Sequence, residues 1–171
     1  MSFPVRACLL PALLCHLACG PAWAGVSCAL SGAAVGFGNY DVFSLLPNDS
    51  SGTMTLTCNQ TGGTGSVDSF SYTVAIGSGT YGSFSERRMA NGLARMGYNL
   101  YTTSVRLLVW GDGSGGTVTA GGLGCVGNTV IANPLCPGTL AVPLTVYARI
   151  PARQDVRVGS YADTVVVTVS Y

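Results

Sequence analysis

The sequence has few charged residues and no lysine at all, so its positively charged side chains at neutral pH are arginines. Charged residues make up 9% of the 171 residues, whereas about a quarter of an average globular protein is charged. With a formal net charge of +1, the chain lacks the basic field that binding to nucleic acid or to an anionic membrane requires. Hydrophobic residues reach 48% and are regularly patterned, so the scarcity of charge does not indicate disorder.

The first residues of the chain have the pattern of an export signal. Arg6 supplies a positive start, "ACLLPALLCHLACG" an apolar stretch and "AWA" a small-x-small cleavage site. We therefore predict a signal peptide over residues 1–24 and a domain over residues 25–171 that reaches the periplasm and then the cell surface or the medium. The apolar stretch is shorter than the ~20 residues of a membrane-spanning helix and is interrupted by His16. A lipoprotein attached through Cys19 is the alternative, although His16 stands where lipoprotein signals prefer an apolar residue.

Histidine is absent from the predicted exported domain, because His16 is the only histidine of the chain. This excludes Ser-His-Asp and Cys-His catalytic sets and any metal site built on histidine. The carboxylates Asp41, Asp49 and Asp163 are candidates for glycoside hydrolysis, but each lies in or beside a turn, where aspartate caps the local backbone. The stretch "GDGSGG" holds one carboxylate, Asp112, and is typical of a plain turn. We therefore predict no enzymatic activity, no cofactor and no metal.

The cysteines of the exported domain are Cys28, Cys58, Cys125 and Cys136. In an oxidising compartment these four suggest two disulfides, for which three pairings are possible. Cys125 and Cys136 bracket one loop, so we predict that they pair with each other and that Cys28 pairs with Cys58. A zinc site is not indicated, because no Cys-x-x-Cys spacing occurs.

Apolar residues alternate with polar ones along most of the exported domain, which indicates half-buried β-strands. The alternation is clear in "GTMTLTC", "SFSYTVAI", "MGYNLYT", "PLTVYARI" and the final "VVVTVSY", with turn-forming clusters such as "PNDSSG" between them. The one candidate helix, "SERRMANGLARM", contains a glycine at position 92 and is better explained by short irregular strands. We predict an all-β Greek-key sandwich. Its inward-facing residues would include Met54, Leu56, Cys58, Phe70, Tyr72, Val74, Ile76, Tyr98, Leu100, Leu144, Val146, Ala148 and Ile150.

Several longer stretches carry a resemblance to a known family. They are, in order, "CALSGAAVGFGNYDVFS", "GTMTLTC", "RRMANGLARMGYNLYT", "VWGDGSGGT" and "YARIPARQDVRVGSYADTVVVTVSY". Together they cover most of residues 28–171, and they are similar to the spore coat protein U family, the β-domain of secreted proteins and of archaic chaperone–usher pilins. The segment from about Gly121 to Ala141 departs from the family's pattern.

The resemblance implies an immunoglobulin-like sandwich that stops one strand short and leaves a groove lined by the C-terminal strand. A periplasmic chaperone lends a strand to such a groove, and a neighbouring subunit later replaces it by strand addition. We therefore predict that Val165, Val167, Val169 and Tyr171 line the groove. The implied partners are the chaperone, an outer-membrane usher and other pilus subunits. The alternative is a closed sandwich whose last strand is simply its edge, although sheets usually protect long flat edges.

The start of the exported domain bears on the place of the subunit in a fibre. Only Gly25, Val26 and Ser27 precede Cys28, whereas a donated strand needs about ten residues at ~3.3 Å each to span a sandwich. We therefore expect a subunit that accepts a strand without donating one, at the tip of the fibre, with a role in surface attachment and biofilm. Family tip subunits often carry an additional domain, which this sequence lacks, and an unpolymerised coat protein would have the same features.

The loop "CVGNTVIANPLC" is the candidate contact surface of such a subunit. It holds Val126, Val130, Ile131 and Leu135 and no charged residue, and an exposed apolar cluster indicates an interaction site. We predict an adhesive loop. The alternative is that these side chains fold back as a lid over one end of the sandwich, as most apolar loop residues do.

A free-standing secreted binding module with a complete sandwich, for instance for carbohydrate, is the alternative function. Trp110 lies beside a glycine-rich turn, and the outer strand faces are rich in Tyr, Asn and Thr. If Trp110 is exposed, its ring could stack on a sugar; tryptophan is more often part of a core.

Overall fold

The computed structural model describes residues 25–32, 34–61, 67–127 and 136–171. These residues form eight strands and no helix, and no candidate helix for crossing a membrane is therefore found among them. The all-β prediction is confirmed. The strands are β1 (Gly25–Ser31), β2 (Asn48–Thr61), β3 (Val67–Ile76), β4 (Arg87–Asn91), β5 (Ala94–Tyr101), β6 (Ala120–Gly127), β7 (Thr139–Ile150) and β8 (Val167–Ser170).

The strands build two antiparallel sheets that pack face to face as a sandwich. The five-stranded sheet has the order β1-β2-β7-β5-β4, and the three-stranded sheet has the order β6-β3-β8. The longest pairing joins β2 to β7, from Asn48 opposite Ile150 to Asn59 opposite Thr139. Most strands that pair in these sheets are distant in sequence. The connections between consecutive strands therefore cross from one sheet to the other, as in a Greek key.

The core lies between the sheets and contains most of the residues that the alternation assigned to the inner faces. Met89, Met96, Trp110 and Val126 are buried in addition, whereas the assigned Phe70 and Leu144 are only partly buried. On β2, Met54, Leu56 and Cys58 are buried, whereas the intervening threonines face outward. The same alternation holds on β3 and β7. The buried hydrophobic residues are Met54, Leu56, Cys58, Tyr72, Val74, Ile76, Met89, Met96, Tyr98, Leu100, Trp110, Val126, Val146, Ala148 and Ile150.

The stretch "SERRMANGLARM" forms strands, as predicted, in the hairpin of β4 and β5. Asn91 lies opposite Ala94, so the loop consists of Gly92 and Leu93. Gly92 has a φ of 59°, and a glycine at the first of two loop positions is what such tight hairpins favour. Leu93 at the tip is 93% exposed.

The segment before β8 passes from one sheet to the other. Ala162 exchanges two backbone hydrogen bonds with Ala90, at the β4 edge of the five-stranded sheet. The next residues cross to the three-stranded sheet, where the Gly77 N–H donates to the Val166 carbonyl at 2.8 Å and β8 pairs with β3.

Candidate functional site: the open edge of the terminal strand

β8 lies at an edge of its sheet. Among the described residues its single strand neighbour is β3, with Ile76 opposite Val167 and Val74 opposite Val169. In an antiparallel ladder, successive residues point their backbone groups alternately toward the partner and away from it. Since Val166 bonds to Gly77 of the β3 side, the backbone groups of Val165, Val167 and Val169 face the open side.

A groove of about 1120 Å³ opens beside this edge. One wall is the segment 34–43, which follows β1, and the other is the segment 156–165 together with Val167. Apart from Thr53 and the Tyr98 hydroxyl, the floor is apolar, and the charged lining residues, Asp41, Arg157 and Asp163, belong to the walls. The floor side chains are Met54, Ile76, Met89, Met96, Tyr98, Leu100, Val146 and Ile150.

The wall segment 34–43 crosses the inner face of β2 because Gly52 has no side chain there. A Cβ atom on Gly52 would lie 2.3 Å from the Ala34 carbonyl oxygen, well inside van der Waals contact. One position further along this face, the Ser50 hydroxyl donates to the Gly36 carbonyl at 2.6 Å. β2 therefore binds the wall through an inward glycine and an inward serine.

The same wall is held at its far end. The Asn48 side-chain amide donates to the Phe37 carbonyl at 3.2 Å, and the Phe37 ring packs edge-on against Tyr98 with centroids 6.0 Å apart. The Tyr40 hydroxyl donates to the Pro151 carbonyl at 2.7 Å. The wall is thus fixed to β2, β5 and the turn after β7.

Replacing Gly52 by alanine should displace this wall. The added methyl meets backbone, which cannot rotate away, so we expect the free energy of unfolding to fall by about 1–3 kcal/mol, as in overpacked cores. Gly36→Ala is the control, because a Cβ there has no atom within 4 Å, and a change within about 0.5 kcal/mol is expected. Urea unfolding of both variants measures the difference, and equal effects would contradict the crossing at Gly52.

Asp163 fixes the place where the chain enters β8. Its Oδ2 accepts a hydrogen bond from the Tyr98 hydroxyl at 2.7 Å, and its Oδ1 accepts from the Thr80 and Thr164 N–H groups at 3.0 and 2.8 Å. Tyr98 belongs to the five-stranded sheet, and Thr80 follows β3 of the other sheet. Burial, and then the hydrogen bond to Asp163, raise the pKa of Tyr98 well above its ordinary value, so the hydroxyl remains a donor.

Arg87 is a fully buried cation that sequence reasoning missed. It lies on β4 opposite Tyr98 and is 0% exposed. Its Nε donates to the Gly77 carbonyl at 2.9 Å, and its Nη2 donates to the carbonyls of Ile76 and Trp110 at 3.1 and 2.6 Å. The guanidinium therefore connects β4 of one sheet to the end of β3 in the other, next to the start of β8.

A side-chain amide completes the environment of this cation. Its Nη1 donates to Asn99 Oδ1 at 2.5 Å, and the Phe84 ring lies 5.5 Å from the guanidinium carbon. Desolvation by burial lowers the pKa of Arg87, but arginine stays protonated in proteins. The one indication of burial in the sequence was its position in the strand alternation, because Arg87 precedes inward-facing Met89 by two residues on the same strand.

The residues predicted to line the groove occupy different positions along its edge. Val165 and Val167 line the groove, and Val169 packs against the core opposite Val74. Tyr171 follows the last residue of β8 and is 53% exposed. The groove side of β8 is thus concentrated in its first half and in the residues before it.

The structure contains both disulfides. Cys28 and Cys58 lie directly opposite each other on β1 and β2 and are bonded, and Cys125 is bonded to Cys136. The first disulfide joins an edge strand to its neighbour, and the second closes the loop after β6.

Two sequence predictions about contact surfaces need correction. Val126 is 0% exposed on β6 and packs in the core, so it cannot belong to an adhesive surface. The other three residues of that prediction, Val130, Ile131 and Leu135, lie outside the described residues. Trp110 is 1% exposed, and its Nε1–H donates to the Val74 carbonyl at 2.8 Å, so its ring cannot stack on a sugar at the surface.

The candidate carboxylates are each held by partners of their own. Arg149 donates to both oxygens of Asp49 at 2.7 and 2.8 Å, and this hydrogen bonding lowers the pKa of Asp49. Asp41 accepts from the Phe43 N–H at 2.9 Å, which is a local turn. Asp112 accepts from the Ser114 N–H and hydroxyl in the glycine-rich turn. In the parts of the chain that the structure describes, no group of His, Cys, Asp or Glu is placed to hold a metal ion.

A solved structure has a similar fold. The chain is similar to a protein in the crystal structure of the CsuC–CsuE chaperone–tip adhesion subunit pre-assembly complex, from archaic chaperone–usher Csu pili of Acinetobacter baumannii. The TM-score is 0.50 at 19% sequence identity, over 85% of this chain. This chain spans 40% of the length of that chain. The likeness agrees with the immunoglobulin-like sandwich expected from the sequence.

Sequence comparisons point to one family. The family model described as Spore Coat Protein U domain matches residues 20–168. Protein U of Myxococcus xanthus is 31% identical over 156 residues, which cover 86% of this chain and 79% of that protein. The chain therefore belongs to the Spore Coat Protein U domain family.

Proposed function

We propose that this protein is an exported structural or adhesive subunit of a chaperone–usher fibre or coat, and that it accepts a partner's strand along β8. The observation that carries the proposal is the open edge of β8 beside an apolar groove. An incoming strand would hydrogen-bond to the outward-facing backbone groups of Val165, Val167 and Val169 and place alternate side chains in the groove.

The incompleteness of the sandwich is part of this proposal. Val167 and Val169 of β8, and Val165 just before it, pack against the core but are only partly buried. The inward residues of β3 beside them, Val74 and Ile76, are almost fully buried. A further strand beside β8 would cover these valines. It would also remove a flat apolar edge that otherwise promotes aggregation.

The proposed partners are a periplasmic chaperone, an outer-membrane usher and other subunits of the same fibre. Family membership and the fold shared with a subunit of archaic Csu pili support this choice. Export by a signal peptide, a place at the tip and a role in attachment and biofilm stay predictions from the sequence. The apolar groove beside β8 offers a binding surface for these partners.

Co-expression tests the proposal. The full chain is produced with and without a periplasmic chaperone of the archaic chaperone–usher class. We expect soluble subunit mainly in the presence of the chaperone, recovered as a complex with it, because the open edge would otherwise pair with other copies. An equal yield of soluble monomer without the chaperone would contradict the function.

A further inference from the structure

All the methionines of the described residues lie on the floor of the groove. They are Met54, Met89 and Met96, and they are 1%, 8% and 5% exposed. The core outside the groove, by contrast, contains residues such as Leu56 and Val126 but no methionine within the described residues. Methionine is therefore concentrated where the proposed partner strand would pack.

The three side chains lie on both sides of the floor. Met54 belongs to β2, whereas Met89 and Met96 lie opposite each other on β4 and β5, the last two strands of the same sheet. The branched side chains Val146 and Ile150 belong to β7, which lies between β2 and β5. Branched side chains thus occupy the centre of the floor, and the unbranched methionines lie on both sides of it, next to Tyr98 and Leu100 on β5.

This distribution has a physical consequence for what can bind. Methionine has three rotatable bonds and a polarisable sulfur, so it repacks around partners of different shape, and it is common at binding surfaces that accept several partners. Valine and isoleucine have few rotamers and specify one complementary shape. A floor of leucine or isoleucine would fit one strand better and others worse.

The charged groups of the groove walls already have hydrogen-bond partners within the chain. Asp41 accepts from Phe43, Asp163 accepts from Tyr98 and two N–H groups, and Arg157 donates to the Asn91 carbonyl at 2.5 Å. Each wall charge is thus engaged within the chain. A strand placed here would meet an apolar floor and would need uncharged inward side chains.

We propose that the methionine floor makes the groove adaptable, so that it takes successive extended segments whose alternating apolar side chains differ in shape. This inference rests on the proposed strand-accepting function and specifies its partner class. The occupant is an extended segment of another protein with bulky, uncharged residues at every second position. The groove accepts different bulky residues at these positions because the side chains of Met54, Met89 and Met96 can rotate to fit them.

The test compares peptide selectivity before and after the floor is made stiffer. Three fluorescently labelled peptides of about ten residues alternate threonine with valine, leucine or phenylalanine. The purified full chain and the variant Met54→Leu/Met89→Leu/Met96→Leu, which nearly conserves side-chain volume, are refolded with each peptide. Fluorescence anisotropy gives the dissociation constants, and circular dichroism checks the fold. If the triple variant does not fold, Met89→Leu/Met96→Leu replaces it.

We expect the dissociation constants of the native chain for the three peptides to lie within about threefold of one another. For the variant, we expect the dissociation constants of the best and the worst peptide to differ by at least about tenfold. The control, Leu144→Met, adds a methionine outside the groove lining and should keep the native ratios. If the leucine variant showed the same ratios of dissociation constants as the native chain, the proposal of an adaptable floor would be wrong, while strand acceptance would still stand. Failure of the native chain to bind any peptide would contradict strand acceptance itself, and the inference with it.

Discussion

Replacing Arg87 by methionine is expected to lower the free energy of unfolding by about 3–5 kcal/mol, a large part of the ~5–15 kcal/mol that holds a typical domain together. Methionine keeps the length of the aliphatic stem but has no donor. The carbonyls of Ile76, Gly77 and Trp110 would lose their partner, and each buried acceptor left unsatisfied costs about 1–3 kcal/mol. Urea unfolding of the purified full chain, followed by fluorescence and circular dichroism, measures the loss.

The neighbouring arginine is the matched control. Arg88 points outward, pairs with Glu86 at 2.7 Å, and has a side chain that is 50% exposed. Such surface pairs contribute about 0–1 kcal/mol, so Arg88→Met should change stability little. Similar small losses in both variants would show that the buried guanidinium is not what connects the two sheets.

Replacing Val167 by aspartate is expected to weaken strand uptake by at least about 100-fold. Val167 lines the groove and packs against the core, so an incoming strand would bury the new carboxylate without a partner, at a cost of several kcal/mol. The yield of the complex with a co-expressed chaperone and the binding of the labelled leucine peptide both measure the effect.

Val166 provides the control, because it is the adjacent residue on the opposite face. It is 71% exposed, so Val166→Asp adds the same charge one position away without placing it in the groove. We expect its complex yield and peptide affinity to remain close to native. Equal losses in the two variants would mean that the charge acts on the stability of β8 as a whole, and not on the groove.

The inner faces of the long strands could be predicted from the sequence because a half-buried strand repeats every second residue. Leu56, Val74 and Ala148 were assigned correctly by that period alone. The pairing of the strands could not be obtained this way, because it depends on contacts between segments far apart along the chain. The alternation predicted a Greek-key sandwich in outline, and the resemblance to a family added the expectation of an immunoglobulin-like sandwich that lacks one strand.

The walls of the candidate site were harder to predict for specific physical reasons. Gly52 looked like an ordinary turn or strand glycine, since the Ala34 carbonyl that requires it arrives from a different segment. The burial of Arg87 was not predicted, because charge is normally a sign of exposure. Trp110 was considered as a surface ring because of the glycine-rich turn after it, whereas its N–H reaches a carbonyl in the core.

The pairing of β2 with β7 has a consequence for how fast the protein folds. Asp49 and Arg149 are neighbours across this pairing although 100 residues separate them in the chain. The entropy cost of closing such a loop is not offset until both ends have met, so proteins dominated by long-range strand pairings fold slowly, typically over milliseconds to seconds. The central pairing of the larger sheet cannot begin until β7 has been synthesised. During that interval β1 to β6 have incomplete sheets and exposed apolar faces, which is the period in which a folding chain is most prone to aggregate.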